Sequence, residues 1–267
     1  MQTNWQQTWQ THKPSTIWLI KASGVLLLLA LIIAVVFGYH AGFLTLNQFG
    51  ARFSDVIWAA MTMLGDTYLA IALLLFFIFK DKLLMPAMLI ASIPATIFAQ
   101  GFKRGLAVDR PPRIFEPEQI NQIGRVLEVG SFPSGHTMTA AVLAGLLIMS
   151  AKNNILRTLA LTLVILVGIS RVMVGVHFPI DTLVGGGVGL LAAGFGYLVA
   201  ARFNLGQHKI SQFILFCVPL YAVFRIFMHH NGYPNAHDFA ILVACLALAT
   251  FFIQLACHLY QNQTGKP

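Results

Sequence analysis

The chain consists of long apolar stretches separated by short polar breaks. The first stretch, roughly Ala22–Tyr39, is too long and too far from the start for a simple signal-peptide core, and no clean cleavage pattern follows it. It therefore predicts a retained membrane span. Between about Thr45 and Leu64 the pattern changes. Phe49, Phe53, Ile57, Ala60 and Leu64 recur at helical spacing with Arg52, Ser54 and Asp55 among them, which predicts an amphipathic helix lying at the membrane interface. Further spans are predicted at about Tyr68–Phe79, Leu84–Phe102, His136–Ser150, Leu156–Met173, Pro179–Ala201, Ile210–Met228 and Phe239–Leu259. A span needs about 20 apolar residues. The Tyr68–Phe79 and His136–Ser150 runs fall short, and the first is expected to borrow residues from the helix before it.

About eight spans make the expected fold an all-α polytopic membrane helix bundle, because only helices and closed barrels satisfy their backbone groups in lipid. No internal repeat, low-complexity tract or second domain interrupts residues 1–267, which read as a single domain. Met1–Thr11, rich in Gln, Thr and Trp, reads as a short tail or interfacial segment.

Composition agrees. The chain is 57% hydrophobic and 10% charged, against about 25% charged for a soluble domain. The formal net charge of +8 falls on cations at span ends, where membrane orientation and anionic headgroups account for it. No nucleic-acid partner is expected. Cys217, Cys245 and Cys257 lie in late apolar segments without a CxxC pattern and read as buried small hydrophobes.

Charge in the loops orients the bundle. Lys13 and Lys21, Lys80 and Lys82, Lys152 and Arg157, Arg202 and Lys209, and Lys266 all fall on one side of an eight-span chain. The positive-inside rule makes that side, with both termini, cytoplasmic. Arg110, Arg113, Arg125 and Arg171 fall on the other side and break the bias. Some of these cations are then expected to bind an anion there. For Arg113 and Arg125, contact with lipid headgroups is an equally good account.

Three segments on that outer side carry chemistry. Lys103 and Arg110 are seven residues apart, which on a helix places both on one face at the end of the third span. Pro111 and Pro112 disfavour helix from Arg110 onward. Lys supplies a point charge and Arg a planar fork for phosphate oxygens. Alone, the pair reads as well as snorkelling to headgroups. Next, Pro133-Ser134-Gly135-His136 opens the fourth span. Ser134 suits an N-cap, Gly135 permits close backbone approach, and the free N–H groups of the helix end attract anions. A plain capped helix with a satisfied His136 is the alternative for this segment by itself. Last, Arg171 ends one span, His177 precedes the next, Pro179 suits its first position, and Asp181 lies in its first turn. A carboxylate there can reach back to the imidazole, fix its tautomer and leave the other ring nitrogen nucleophilic. Charges and histidines clustered at span ends are a functional-site hypothesis by default.

The three segments, in this order and internal spacing, resemble the type-2 phosphatidic-acid phosphatase family, integral-membrane lipid phosphatases related to vanadium haloperoxidases. The resemblance covers about Leu84–Ala201 specifically, and by architecture a six-span core that also includes the two spans before it. Two C-terminal spans, at about 210–259, fall outside it. The resemblance implies that His177 attacks phosphorus and becomes a phosphohistidine, that Asp181 orients it, and that His136 protonates the leaving oxygen and then activates water. It implies that Lys103, Arg110, Arg171, Ser134 and the Gly135 amide hold the phosphate oxygens. No metal or cofactor is implied. His229, His230 and His237, with Asp238, form a separate short loop, a weak metal site at most and otherwise solvated.

The expected activity is thus metal-independent removal of phosphate from a lipid phosphate or diphosphate at the extracytoplasmic face. A site at span ends admits a substrate whose tail stays in the bilayer. The compact, tail-poor build suggests a bacterial inner membrane. Undecaprenyl diphosphate leads the substrate expectations, ahead of phosphatidylglycerol phosphate and lipid A. A lipid phosphotransferase shares the first half-reaction. A non-catalytic anion transporter is the rival of a different class, disfavoured because no inverted repeat or paired broken helices are visible.

Overall fold

The structure, a computed structural model, describes residues 4–151 and 153–264, and for residues 209–212, 215 and 262–264 the backbone alone. Lys152, Lys266, the Lys209 side chain and the first three residues of the expected N-terminal tail lie outside that description. The described chain is helical, with one isolated β-bridge between Asp109 and Val129. In chain order the helices are α1 (Trp5–Val36), α2 (Phe43–Gly50), α3 (Asp55–Met63), α4 (Thr67–Leu73), α5 (Leu84–Leu106), α6 (Pro111–Ile114), α7 (Gly135–Ser150), α8 (Asn154–Met173), α9 (Pro179–Arg202), α10 (Lys209–Met228) and α11 (His237–Thr264). This is the expected all-α, multi-pass membrane architecture.

Five described helices are long and apolar enough to cross a membrane: α1, α5, α8, α9 and the one ending at Gln261 in α11. Shorter apolar helices occupy Gly135–Ser150 and Phe216–Met228. The remaining passage comes from a bent pair. α3 and the Thr67–Phe76 segment meet at 66°. Asp55 at the start of α3 faces Asn121, and Gly65 at the bend lies against the His136 backbone. Asp81, after the pair, bonds Tyr197 at the opposite end of the bundle. The single helix expected over about Thr45–Leu64 is two, α2 and α3, broken at residues 51–54, and the chain bends from α3 into α4 at this end of the bundle. The described residues thus give five candidate spans, or six with the bent pair counted as one. Lys80, Lys82, Arg157 and Arg202 gather at one end, and Lys103, Arg110, His136, Arg171 and His177 at the other.

Several boundaries differ from the sequence expectation. α1 begins at Trp5, some four turns before the apolar run, so most of the expected tail is helix. A capping box between Asn4 and Gln7 starts it and lets polar residues continue the helix beyond the lipid-facing part. α5 stops at Leu106 because Ala107 turns left-handed, with φ of 45°. Lys103 and Arg110 are therefore not two turns apart on one helix, and Arg110 sits in extended backbone. The three cysteines are exposed on the outer helix surfaces rather than buried. They share those surfaces with Ile93, Ile97, Ile165, Phe224 and Leu242, each more than half exposed, as expected of a bundle whose solvent is lipid.

The core position goes to α7, apolar on every face and buried along nearly its whole length. Small residues bring its neighbours close. A Cβ on Gly185 or Gly189 of α9 would lie 2.5 Å from the carbonyl oxygen of Ser134 or Met138, and one on Gly196 would lie 2.5 Å from that of Ala87 in α5. Such small-residue seams are how membrane helices approach without a hydrophobic driving force. This one places the start of α9 on the start of α7: the Ser134 amide donates to the Asp181 carbonyl at 3.0 Å.

Candidate active site

Asp181 is the hub of the site. It is fully buried in the first turn of α9, one turn after His177. Its Oδ2 accepts from the Phe178 amide at 2.9 Å, from the Ser131 hydroxyl at 2.5 Å and from His177 Nδ1 at 3.3 Å. Its Oδ1 accepts from the Tyr39 hydroxyl. A carboxylate is acceptor-only, so Nδ1 carries the proton and Nε2 of His177 keeps its lone pair. Burial, with Asp181 beside it, pushes the Tyr39 phenol well above its ordinary value, so Tyr39 remains a donor.

His177 is 2% exposed, just outside the helix in the turn that Pro179 terminates. Its Nε2 lies 3.5 Å from Nη1 of Arg110. Burial, then the nearby Arg110, Arg171 and Lys103 charges, holds the imidazole pKa well below its ordinary value. His177 is thus neutral at pH 7, with the lone pair of its Nε2 free.

The cations arrive from three directions. Arg110 is anchored by its backbone amide to the Glu128 carbonyl at 2.7 Å, and its guanidinium donates to the carbonyls of Val129, Gly130 and Val176 at 3.1, 3.0 and 3.2 Å. These bonds hold the fork in place beside His177 while its remaining N–H groups stay available. Burial and Arg171 press its pKa down to about 10, which still leaves it charged at neutral pH. Arg171 ends α8, 3% exposed, and its Nη1 donates to the Tyr233 hydroxyl at 2.7 Å. Lys103, in the last turn of α5, places Nζ 4.0 Å from where a Cβ on Gly135 would stand. An ammonium thus faces the N-terminus of α7, and the missing side chain leaves room for an anion between them.

Ser134 is the N-cap of α7, as expected. Its hydroxyl is engaged with Thr137, 2.9 Å from Oγ1 and accepting from the amide at 3.4 Å. His136 follows in the first turn, and its Nε2 is buried without a hydrogen-bond partner. All eight residues named from the sequence converge at this end of the bundle.

Three residues were not anticipated. Tyr39 follows the first span, Ser131 sits two residues before the Pro133 motif, and Tyr233 lies in the turn between α10 and α11. Each acts across at least fifty positions, and single-sequence spacing carries no signal at that range. Tyr233 also lies 5.6 Å under the Arg171 guanidinium, so the C-terminal helices contribute to the site. His229 and His230 are exposed, and among the described residues no three His, Cys, Asp or Glu side chains form a metal-holding group.

Comparison with known proteins agrees with this geometry. Residues 82–205 match the model of the PAP2 superfamily. Phosphatidylglycerophosphatase B of Bacillus subtilis is 44% identical over 70 residues, covering 23% of this chain and 34% of that protein. Bacitracin transport permease protein BcrC of Bacillus licheniformis is 34% identical over 83 residues, covering 31% of this chain and 40% of that protein. The aligned stretches thus span well under half of each curated relative. Aquifex aeolicus LpxE superposes with a TM-score of 0.52 at 27% identity, covering 58% of this chain and 91% of that structure. The segment 82–205, which carries the three motifs on a helical membrane fold, is thus similar to the PAP2 superfamily, the type-2 phosphatidic-acid phosphatases.

Proposed function

We propose that the protein is a metal-independent lipid phosphatase that works through a phosphohistidine on His177. The observation that supports it most is the buried His177–Asp181 pair, with a neutral imidazole whose free nitrogen faces three converging cations. In the first step the Nε2–phosphorus bond forms and the ester or anhydride P–O bond breaks, and His136 gives its proton to the leaving oxygen. In the second step His136 takes a proton from water, whose oxygen attacks phosphorus. The N–P bond breaks, and inorganic phosphate leaves. Asp181 stabilises the positive charge on the phosphorylated ring. Lys103, Arg110, Arg171 and the α7 N-terminus with its Gly135 amide hold the equatorial oxygens, where charge spreads in the transition state.

Three fixed cations and a helix end supply the charge that magnesium supplies in other phosphoryl-transfer sites. Purified protein in detergent is therefore expected to release phosphate from lipid phosphates in the presence of EDTA, with vanadate inhibiting as a phosphate mimic. Activity lost to EDTA and restored by a divalent ion would overturn the reading.

The sidedness follows from the two ends of the bundle. By the positive-inside rule we read the end that carries Lys80, Lys82, Arg157 and Arg202 as cytoplasmic, which supports a site at the extracytoplasmic face of a bacterial inner membrane with both termini inside. In a background lacking the three exposed cysteines, Glu118→Cys and Asn235→Cys should react with an impermeant thiol reagent in intact cells, and Gln207→Cys should not. The reverse pattern would move the site to the cytoplasm.

At that face, undecaprenyl diphosphate is the favoured substrate: its small headgroup suits a site beside the short polar loop 112–132. Phosphatidylglycerol phosphate is the second reading, favoured by the 44% identity to a protein named for that activity.

A further inference from the structure

We infer that the cleft between the Arg125 loop and the α10–α11 turn is a subsite for a second phosphate, carried on the leaving group of the lipid substrate. The inference rests on the phosphatase reading above and names a substrate feature that the reaction site alone does not require.

The cleft measures about 500 Å³ and is lined by Asp66, Arg125, His136, Arg225, His230 and Asn231, among others. It is built as a unit. The Arg125 amide donates to the Gly232 carbonyl at 3.1 Å, which ties the loop to the turn. Arg225 is held with its guanidinium 5.2 Å over the Tyr68 ring, and its Nε is buried without a hydrogen-bond partner. The cleft's one carboxylate is already engaged. Asp66 caps α4, accepting from the amides of Tyr68 and Leu69 at 2.8 and 3.1 Å, and its other oxygen accepts from Asn231 Nδ2 at 2.9 Å. Among the described residues neither arginine has a carboxylate within ion-pair distance. Two unneutralised guanidinium groups with a polar turn beside them make an anion site, and the fork geometry suits phosphate.

Its position identifies which phosphate it would hold. His136, the proton donor to the leaving oxygen, is a wall of this cleft and also of a second cavity. That second cavity, about 270 Å³, runs from Lys103 and His136 down past Ala99, Ala95 and Met88 toward the lipid-facing side of α5. The leaving group departs on the His136 side. Its chain can follow the apolar cavity while a phosphate on it reaches Arg125 and Arg225. When the bond from the transferred phosphorus to the bridging oxygen breaks and that oxygen takes the His136 proton, the lipid with its own phosphate remains in the cleft. Two lipid types carry this chemistry: a polyprenyl diphosphate, whose leaving group is the lipid monophosphate, and a phosphomonoester on a phosphodiester lipid, such as phosphatidylglycerol phosphate. Arg225, His230 and Asn231 lie outside the segment that matches the family model, so the subsite is largely an addition by α10 and α11.

The test is the ratio of kcat/KM for a two-phosphate lipid to that for phosphatidic acid, which has one, in full-length protein with Arg125→Gln or Arg225→Gln. Loss of a charge-assisted phosphate contact is worth about tenfold or more, and each ratio should fall by that much. Arg225→Lys should restore part of it. Arg125 is exposed in its loop, so Arg125→Gln reads the subsite even if the Arg225 variant fails to fold, and vanadate inhibition reports that the reaction site is intact. A fall for the diphosphate alone, or for phosphatidylglycerol phosphate alone, assigns the source. Unchanged ratios in an active enzyme would overturn the subsite and leave the phosphatase reading standing. No phosphate release from any lipid by the wild type would sink the phosphatase reading, and the subsite with it.

Discussion

His177→Ala is expected to abolish phosphate release while the protein remains folded. Removing a covalent nucleophile costs on the order of 10⁶ in rate. The fold should survive because His177 lies in a turn, outside α8 and α9. Its carboxylate partner also keeps three other donors: the Tyr39 and Ser131 hydroxyls and the Phe178 amide. The truncated site leaves the cations in place, so lipid phosphate should still bind. Steady-state phosphate release alongside a thermal melt in detergent checks both halves. Near-normal turnover from a folded His177→Ala protein would remove His177 from the mechanism.

Asp181→Asn is expected to have the second-largest effect. The amide nearly matches the carboxylate in shape, and the Tyr39 hydroxyl can turn to accept from its NH₂, so the packing should tolerate it. What is lost is the negative charge that fixes the His177 tautomer and that, in the proposed mechanism, would balance a phosphorylated ring. Asparagine at such a position behind a catalytic histidine lowers kcat on the order of 10⁴. Asp181→Ala should differ in kind. It leaves four buried donors without an acceptor, at about 1–3 kcal/mol each, and should lower the melting temperature as well as the rate. Measuring kcat and melting temperature for both variants separates the two roles. An Asp181→Asn enzyme within tenfold of wild type would mean that the pair is structural.

The parts of this site that were legible in the sequence are those with local signals. Ser134 before an apolar run, Pro179 at the first position of α9, and Asp181 one turn after His177 each fix a helix end and its side chains within four residues. Three things were not legible, each for a physical reason. Hydrophobicity is the same for a core and a lipid-facing residue, so the pattern carries no sign that Cys217, Cys245 and Cys257 lie on the outer surface. The left-handed turn at Ala107 has no glycine to announce it, so the seven-residue spacing of Lys103 and Arg110 looks helical although the helix ends between them. The polar side chains that complete the site, Tyr39 on Asp181, Tyr233 on Arg171 and Asn231 on Asp66, join elements far apart in sequence. No periodicity links them. The C-terminal helices had no expected role for the same reason, and they turn out to supply Tyr233 and most of the second cationic cleft.

The central claim is a double displacement at phosphorus through a histidine, and the stereochemical course at phosphorus tests it most directly. With a lipid phosphate made chiral at the transferred phosphorus by sulfur and oxygen isotopes, two successive in-line displacements predict net retention of configuration in the released phosphate. Net inversion, the result of direct attack by water, would contradict it.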